Sequence, residues 1–434
     1  MIVFSSRRGL LRVPASGGEP VQLTALDENR QDTWHHISGF LPDGIHFLYL
    51  AASRQRANTG IFLGSIDAPA ASNRKFILSS SLAAVYAPEP RGAGYVLFER
   101  EGALMAQPFD PTASRLTGEP FLVLPKIGYS GTFPAVSVSQ TGVMAYFANS
   151  ASFRSTQLAW FTRKGERVGN VGPPGPYFTF AISPDGKRIA VHRLERGDSN
   201  IWLLDLARDT FMRFTFDSGS NPVWSPDGRD IAYINPASNY SAYRKRVDGA
   251  GPEQPLGGPV SHLTSWSRDG QLLGTQASAS LPVVLAGGKV TPILEKIEAA
   301  RRQLQLSPDG KWIAYSSDES KQRTEVYVQS FPPTGIKHQI STTGGVQPRW
   351  RNDGRELFYI ADDGKLMAVP VKTGATFEFG SPSALFEPPV PQSPDSQGYE
   401  VSPDGLRFLF RTVPAGEKAT PITIVTNWLA ALKQ

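Results

Sequence analysis

A four-residue turn recurs along this chain at a near-constant interval, and it constrains the fold more than any other feature. Ser183-Pro184-Asp185-Gly186, Ser225-Pro226-Asp227-Gly228, Ser307-Pro308-Asp309-Gly310 and Ser402-Pro403-Asp404-Gly405 are identical. Leu41-Pro42-Asp43-Gly44, Ser267-Arg268-Asp269-Gly270 and Arg351-Asn352-Asp353-Gly354 are near copies, while Pro90-Arg91-Gly92 and Ser139-Gln140-Thr141-Gly142 are degenerate ones. The turn glycines fall at 44, 92, 142, 186, 228, 270, 310, 354 and 405, always 40 to 51 residues apart. A period in the forties marks a repeat architecture. Each residue of the turn has a task. Pro presets φ, the Asp carboxylate bonds backbone amides two residues on, and Gly takes the positive φ that reverses the chain.

Short runs rich in β-branched and aromatic residues flank every turn, as in Arg188-Ile189-Ala190-Val191, Asp230-Ile231-Ala232-Tyr233 and Trp312-Ile313-Ala314-Tyr315. A strand precedes the turn and two more follow this one, as Glu325-Val326-Tyr327-Val328 and Lys337 to Ile340 illustrate. Four antiparallel strands per repeat make the blade of a β-propeller. The fold expected is all-β, with about nine repeats and an N-terminal partial blade. Nine exceed the usual 4–8 blades of one ring. Residues 1–172 are therefore expected to form an incomplete propeller region, a partial blade plus three blades, and 173–434 a six-bladed ring. In that arrangement Ile422 to Thr426 pairs with Arg167 to Val171 or stays an edge, whereas a single large ring would pair it with Val21 to Leu23. The N-terminal remnant suggests the back part of a longer protein.

Composition narrows the function classes. Of 434 residues, 40% are hydrophobic and 19% charged, which supports a large core and excludes disorder. With no Cys, disulfides, thiolate metal sites and cysteine nucleophiles are excluded. The net charge of +5 and the short clusters Arg244-Lys245-Arg246 and Arg301-Arg302 do not make a nucleic-acid stripe. The most apolar run, Leu281 to Ala286, is far shorter than a membrane span, and Arg7, Arg8 and Arg12 interrupt any signal-peptide pattern.

The repeat resembles the Pro-Asp-Gly variant of the WD-repeat propeller found in TolB-like proteins. Leu104 to Asp110, Ile201 to Arg208, Gln347 to Arg351 and Pro421 to Val425 also resemble the C-terminal propeller region of large bacterial serine/threonine protein kinases. That resemblance implies a sensor or interaction module on the extracytoplasmic side, without the kinase domain or span. Within this sequence His192-Arg193-Leu194 lacks the catalytic Asp of a kinase loop. Ala87-Pro88-Glu89 has no Asp-Phe-Gly or Gly-rich loop before it.

Enzyme signatures are incomplete. Gly128-Tyr129-Ser130-Gly131 falls one residue short of a nucleophile elbow. His35-His36 is the one histidine pair, and no His-Glu-x-x-His occurs, so neither metal nor cofactor is expected. The turn aspartates read as structural, and Trp224, Trp266, Trp312 and Trp350 as blade packing. Binding candidates lie in the segments entering each first strand: His35, His36, Phe133, Tyr177, Asn221, His262, Arg301, Arg302, Gln347 and Arg349. Arg301, Arg302 and Arg349 are expected to meet from adjacent blades and take a carboxylate, their guanidinium forks suiting it. The function expected is non-enzymatic binding of a protein or peptide, or of a small anionic ligand. The alternative is a hydrolase or lyase pocket in the central channel.

Overall fold

The structure, a computed structural model, describes all residues except 7, 54, 90–93, 131, 149–155, 196–197, 277–280, 294–300, 320–322, 390–396, 415–420 and 432–434. The chain divides into two compact units, Ser155–Glu417 and a discontinuous one of Met1–Arg154 with Lys418–Gln434. No helix among the described residues is long and apolar enough to cross a membrane.

The unit Ser155–Glu417 is a closed ring of six blades. Tyr177–Ile182, Ser220–Trp224, Val260–Trp266, Arg301–Leu306 and Gly345–Trp350 begin blades one to five, each followed by its antiparallel partners in sequence order. Blade six is composite. Tyr399–Val401 and Arg407–Thr412 supply its inner strands, and Thr156–Thr162 and Arg167–Gly175 complete it from the other end of the unit. The register places Ala159 opposite Phe410 and Trp160 opposite Leu409. This corrects the expectation for the last strand: Thr423–Val425 pairs with Met144–Tyr146 in the other unit's fold, not with Arg167 to Val171 or Val21 to Leu23. The partition also falls at 154/155 rather than 172, because the strand from Thr156 finds its partner in Arg407–Thr412.

Ring closure follows from alternation along the second strands. Side chains on a strand point alternately to its two faces, so a run such as Asp-Ile-Ala-Tyr serves two blade interfaces at once. Ile231 and Tyr233 pack toward blade one with Ile201, and Ala232 and Ile234 pack toward blade three with Val260. Leu273 of blade three meets Ile313 and Tyr315 of blade four. Leu357 and Tyr359 meet Trp312 and Val326 of blade four, while Phe358 and Ile360 meet Phe408 and Phe410 of blade six. Leu158, Trp160 and Leu409 of blade six then pack on Phe180, Ile189 and Val191 of blade one. Every blade thus has an apolar neighbour on both faces.

The repeated turn works as its sequence requires. In blade two the Ser225 hydroxyl donates to Asp227 at 2.6 Å, the Arg229 amide donates to Asp227 at 3.1 Å, and the Asp230 amide donates to Ser225 at 2.9 Å. Gly228 holds φ +69°. Blades one, four and six repeat the lock around Asp185, Asp309 and Asp404. The Ser225 hydroxyl, then the Arg229 amide, hold the Asp227 carboxyl below its ordinary range. These carboxylates are spent within their own turns.

Among the described residues the other unit holds a row of four sheets and a separate two-stranded one, Tyr129–Ser130 with Phe133–Pro134. Ile2–Ser6 with Gly9–Val13 and Val21–Gln22 packs beside the sheet of Asp32–Phe40, His46–Ser53, Gly60–Ser65 and Lys75–Leu78. The latter packs on the sheet of Val85–Pro88, Gly94–Arg100 and Ala103–Asp110, which in turn packs on Val136–Val138, Met144–Tyr146 and Thr423–Val425. A short helix, Trp428–Ala431, buries Trp428 in the last of these interfaces.

Candidate functional site

The six first strands of the ring surround its axis, and the repeat aligns their residues into levels. Two positions before the turn residue stand Ala181, Val223, Ser265, Gln305, Arg349 and Glu400. One arc of this level is polar. The Arg349 Nε donates to Glu400 Oε1 at 3.1 Å, and the Gln397 amide reaches the same oxygen at 2.5 Å. Gln305 donates to the Thr264 carbonyl at 3.2 Å. Burial pushes the Glu400 carboxyl up; Arg349, and then Gln397, oppose this without restoring the ordinary value. Glu400 keeps 22% of its side chain accessible while protein surrounds it, the position of a channel-lining group. The sequence reading missed it. Its signal was the one acidic residue among the six equivalent positions.

Asn221, Gln303 and Gln347 share a second level, four before the turn residue, and all hold a left-handed backbone, φ +50° to +57°. Their carboxamides tie each blade to the next. Asn221 Nδ2 donates to the Ser261 carbonyl at 3.3 Å, Gln347 N donates to Gln303 Oε1 at 2.8 Å, and Gly398 N donates to Gln347 Oε1 at 2.8 Å. Gln397 continues the chain into blade one through the Phe180 amide and carbonyl. Gln347 is wholly buried and serves the seam.

The remaining candidates separate by environment. Tyr177 is buried, its hydroxyl donating to the Pro173 carbonyl. Arg349 is 5% exposed and committed to Glu400, so it does not present a free fork to a carboxylate. The expected basic trio is corrected on that point. Arg301 and Arg302 pair through their backbones with Ser317 and Ser316, and their side chains lie outside the described residues. His262 stands exposed in blade three, its Nδ1 3.3 Å from the Ser261 hydroxyl, and enclosing protein lowers its pKa. Next to Phe178, whose ring centroid is 5.4 Å away, lies His192, which the sequence offers only as part of an incomplete kinase-loop match. Burial, and secondarily His262, lower its pKa to about 4.

In the other unit His36 and Phe133 do come together, their rings edge to face at 4.3 Å, and the Trp34 ring lies 5.4 Å from that of His36. His35 is buried between Thr24 Oγ1 at 2.8 Å and Asp32 Oδ2 at 3.2 Å. Burial pushes Asp32 up, but hydrogen bonds from His35 and Arg74 more than offset it, leaving the carboxyl below its ordinary range. This Thr–His–Asp order mimics a hydrolase triad, yet its hydroxyl has a structural task. Thr24 Oγ1 accepts the Leu10 amide at 2.9 Å, as Thr215 accepts Ile201 and Ser341 accepts Val326 in blades without that histidine. Thr24 is 1% exposed. The second hydroxyl–imidazole pair, Ser199 and His192 at 2.9 Å, is also ill-suited to attack, because Ser199 donates its proton to the Gly219 carbonyl at 3.0 Å. No group of three or more metal-ligating side chains occurs among the described residues.

The serine–aspartate turn lock, the blade alternation and the closed ring define a β-propeller. No family model matches the chain. Over 150 residues it is 29% identical to the Tol-Pal system protein TolB of Alcanivorax borkumensis, a match spanning 32% of this chain and 33% of that protein. The chain thus matches about a third of the length of this curated relative. Similar solved structures include a putative TolB from Agrobacterium tumefaciens (TM-score 0.45, 18% identity, 60% of this chain and 99% of that one). TolB from Acinetobacter baumannii is a second (0.37, 15%, 87% and 79%), and an oligogalacturonate lyase in complex with manganese is a third (0.36, 13%, 64% and 95%).

Proposed function

We propose that this chain is a non-enzymatic binding propeller that captures a protein or peptide at the mouth of its six-bladed ring. The observation that carries this reading is how the polar groups near the axis are used. Asn221, Gln347, Arg349 and Gln397 are spent holding blades together, while His262 stands accessible at the level where the first strands begin. Rigid scaffold with a few presented side chains is the arrangement of a recognition surface. The hydroxyl–imidazole pairs argue against the hydrolase alternative, since the Thr24 hydroxyl is buried and those of Ser199 and Ser261 have given their protons to the Gly219 and Thr275 carbonyls. TolB is named as a protein of the Tol-Pal system, which supports a protein partner here. The kinase-type resemblance adds the proposal that the module derives from the extracytoplasmic sensor region of a bacterial receptor kinase.

The test replaces His262 with a photo-crosslinking benzoylphenylalanine and, as control, the exposed Met212 on an outer strand. After irradiation in native lysate, discrete polypeptide adducts from position 262 and none from 212 are expected. Equal labelling from both positions, or none from 262, would overturn the reading.

A further inference from the structure

We infer that the strand Thr423–Val425 is a self-association edge, at which two copies of this chain join their three-stranded sheets into one of six strands. The inference concerns the discontinuous unit and stands apart from the reading of the ring mouth. Each blade of the ring holds at least four strands, whereas the sheet of Val136–Val138, Met144–Tyr146 and Thr423–Val425 stops at three among the described residues. The chain leaves that sheet through the helix Trp428–Ala431 rather than through a further strand.

The direction of the backbone groups leaves the outer edge of this strand open. The Ser139 amide donates to the Val143 carbonyl at 2.8 Å, and the Phe147 amide donates to the Ala135 carbonyl at 2.9 Å. Hydrogen-bonded positions alternate along an antiparallel pair, so Ala145 bonds Ser137, while Met144 and Tyr146 turn their amides and carbonyls to Val425 and Thr423. Ile424, and Ile422 before it, therefore turn theirs outward, where no described residue bonds them. Their side chains lie on the face opposite Val425, which packs with Val136, Val138 and Trp428. Both are within reach of solvent, Ile422 at 58% and Ile424 at 66% exposed.

An exposed strand edge is a template for another extended chain, and native edges are blunted by charge or by proline. Outer strands elsewhere in the molecule follow that rule: Lys75, Arg167, Arg213, Lys289 and Lys337 each lie in one, and Pro255 lies in another. Pro421 to Asn427 holds no charged residue. Pro421 shares the inward alternation of Thr423, so its missing N–H does not interrupt the outer edge. Two copies of this segment meet without like charges, and the pattern is self-complementary about a two-fold axis at Thr423. Ile424 of one copy then faces Ile422 of the other, twice over, and Thr423 faces Thr423. An axis at Ile424 would set Ile422 against Thr426 instead. Cross-strand pairs of β-branched residues are the ones that hold an antiparallel edge together.

Analytical ultracentrifugation of the full chain between about 1 and about 300 μM tests this, with a monomer–dimer equilibrium expected at a Kd of about 10–100 μM, the range of a small edge contact. Ile424→Lys charges the edge, keeps the fold because the side chain is exposed, and should weaken association about tenfold or more. The chain has no cysteine, so single cysteines report the register. Thr423→Cys should oxidise to a disulfide-linked dimer, its two copies lying about 4.5 Å apart at the axis. Ile424→Cys should not, its two copies being about 8 Å apart and beyond disulfide reach. A monomer throughout the range, which an edge reserved for another protein's strand would give, overturns the inference. So does association undiminished in Ile424→Lys, or cross-linking at 424 in place of 423.

Discussion

Replacing Arg349 by Leu should destabilise the ring in a pH-dependent manner. Arg349 is 5% exposed and its partner Glu400 keeps 22% of its side chain accessible, so the substitution strands a mostly buried carboxylate. Removing one member of a fully buried pair costs about 3–5 kcal/mol, and the residual exposure of Glu400 places the loss at the lower end, about 3 kcal/mol at neutral pH. For a unit of this size that lowers Tm by roughly 6–12 °C. The sign of the pH dependence follows from Glu400, whose folded pKa is raised above its ordinary 4.5. The folded state holds this proton more tightly, so the associated stability is full below 4.5 and is lost as pH rises through the folded value. Without Arg349 the folded value climbs further. Urea unfolding should therefore show a loss of about 3 kcal/mol near pH 8, shrinking to about 1 kcal/mol near pH 4.5, where the orphaned carboxyl is protonated. Adding Glu400→Gln to the Arg349→Leu variant should restore much of the loss at the higher pH. An equal loss at both pH values, or no rescue by Glu400→Gln, would refute the pairing as described.

Gly310 sits at φ +74° with nothing near the place a Cβ would occupy, so Gly310→Ala should cost only the left-handed penalty, about 1–2 kcal/mol, in denaturant unfolding. Gln347→Gly keeps the backbone of φ +56° but removes the acceptor for the Gly398 amide, and should cost about 1–3 kcal/mol with faster hydrogen exchange at Gly398. Thr24→Val strands the buried Leu10 amide. Exchange should accelerate at Leu10 and across Ile2–Ser6 and Gly9–Val13, while the Tyr177–Ile182 strand keeps its protection.

The blades were legible because the turn carries its chemistry in contiguous residues: Ser225, Asp227 and Gly228 need only one another. The tryptophans were legible for a related reason, since Trp224 and Trp350 bond the Ala181 and Gln305 carbonyls of preceding blades at the same repeat position. Closure was not legible. Thr156–Thr162 has no turn of the repeated kind before it, and its partner Arg407–Thr412 lies some two hundred and fifty residues on, a pairing that local pattern does not encode. Glu400 escaped for the same reason, because its meeting with Arg349 exists only once the blades are side by side. Asn221 and Gln347 were read as polar and available. Their left-handed backbones turn them into seam bonds instead.

Closure of the ring by the strand from Thr156 is the claim on which the binding mouth depends, and a disulfide tests it in a chain that has no cysteine of its own. Thr162 and Arg407 are cross-strand partners at the end of that pairing. Thr162→Cys with Arg407→Cys should oxidise to an intramolecular disulfide in the monomer. Val21→Cys with Ile424→Cys, the pair a single large ring would bring together, should stay reduced. A disulfide in the second variant and free thiols in the first would contradict the six-bladed ring.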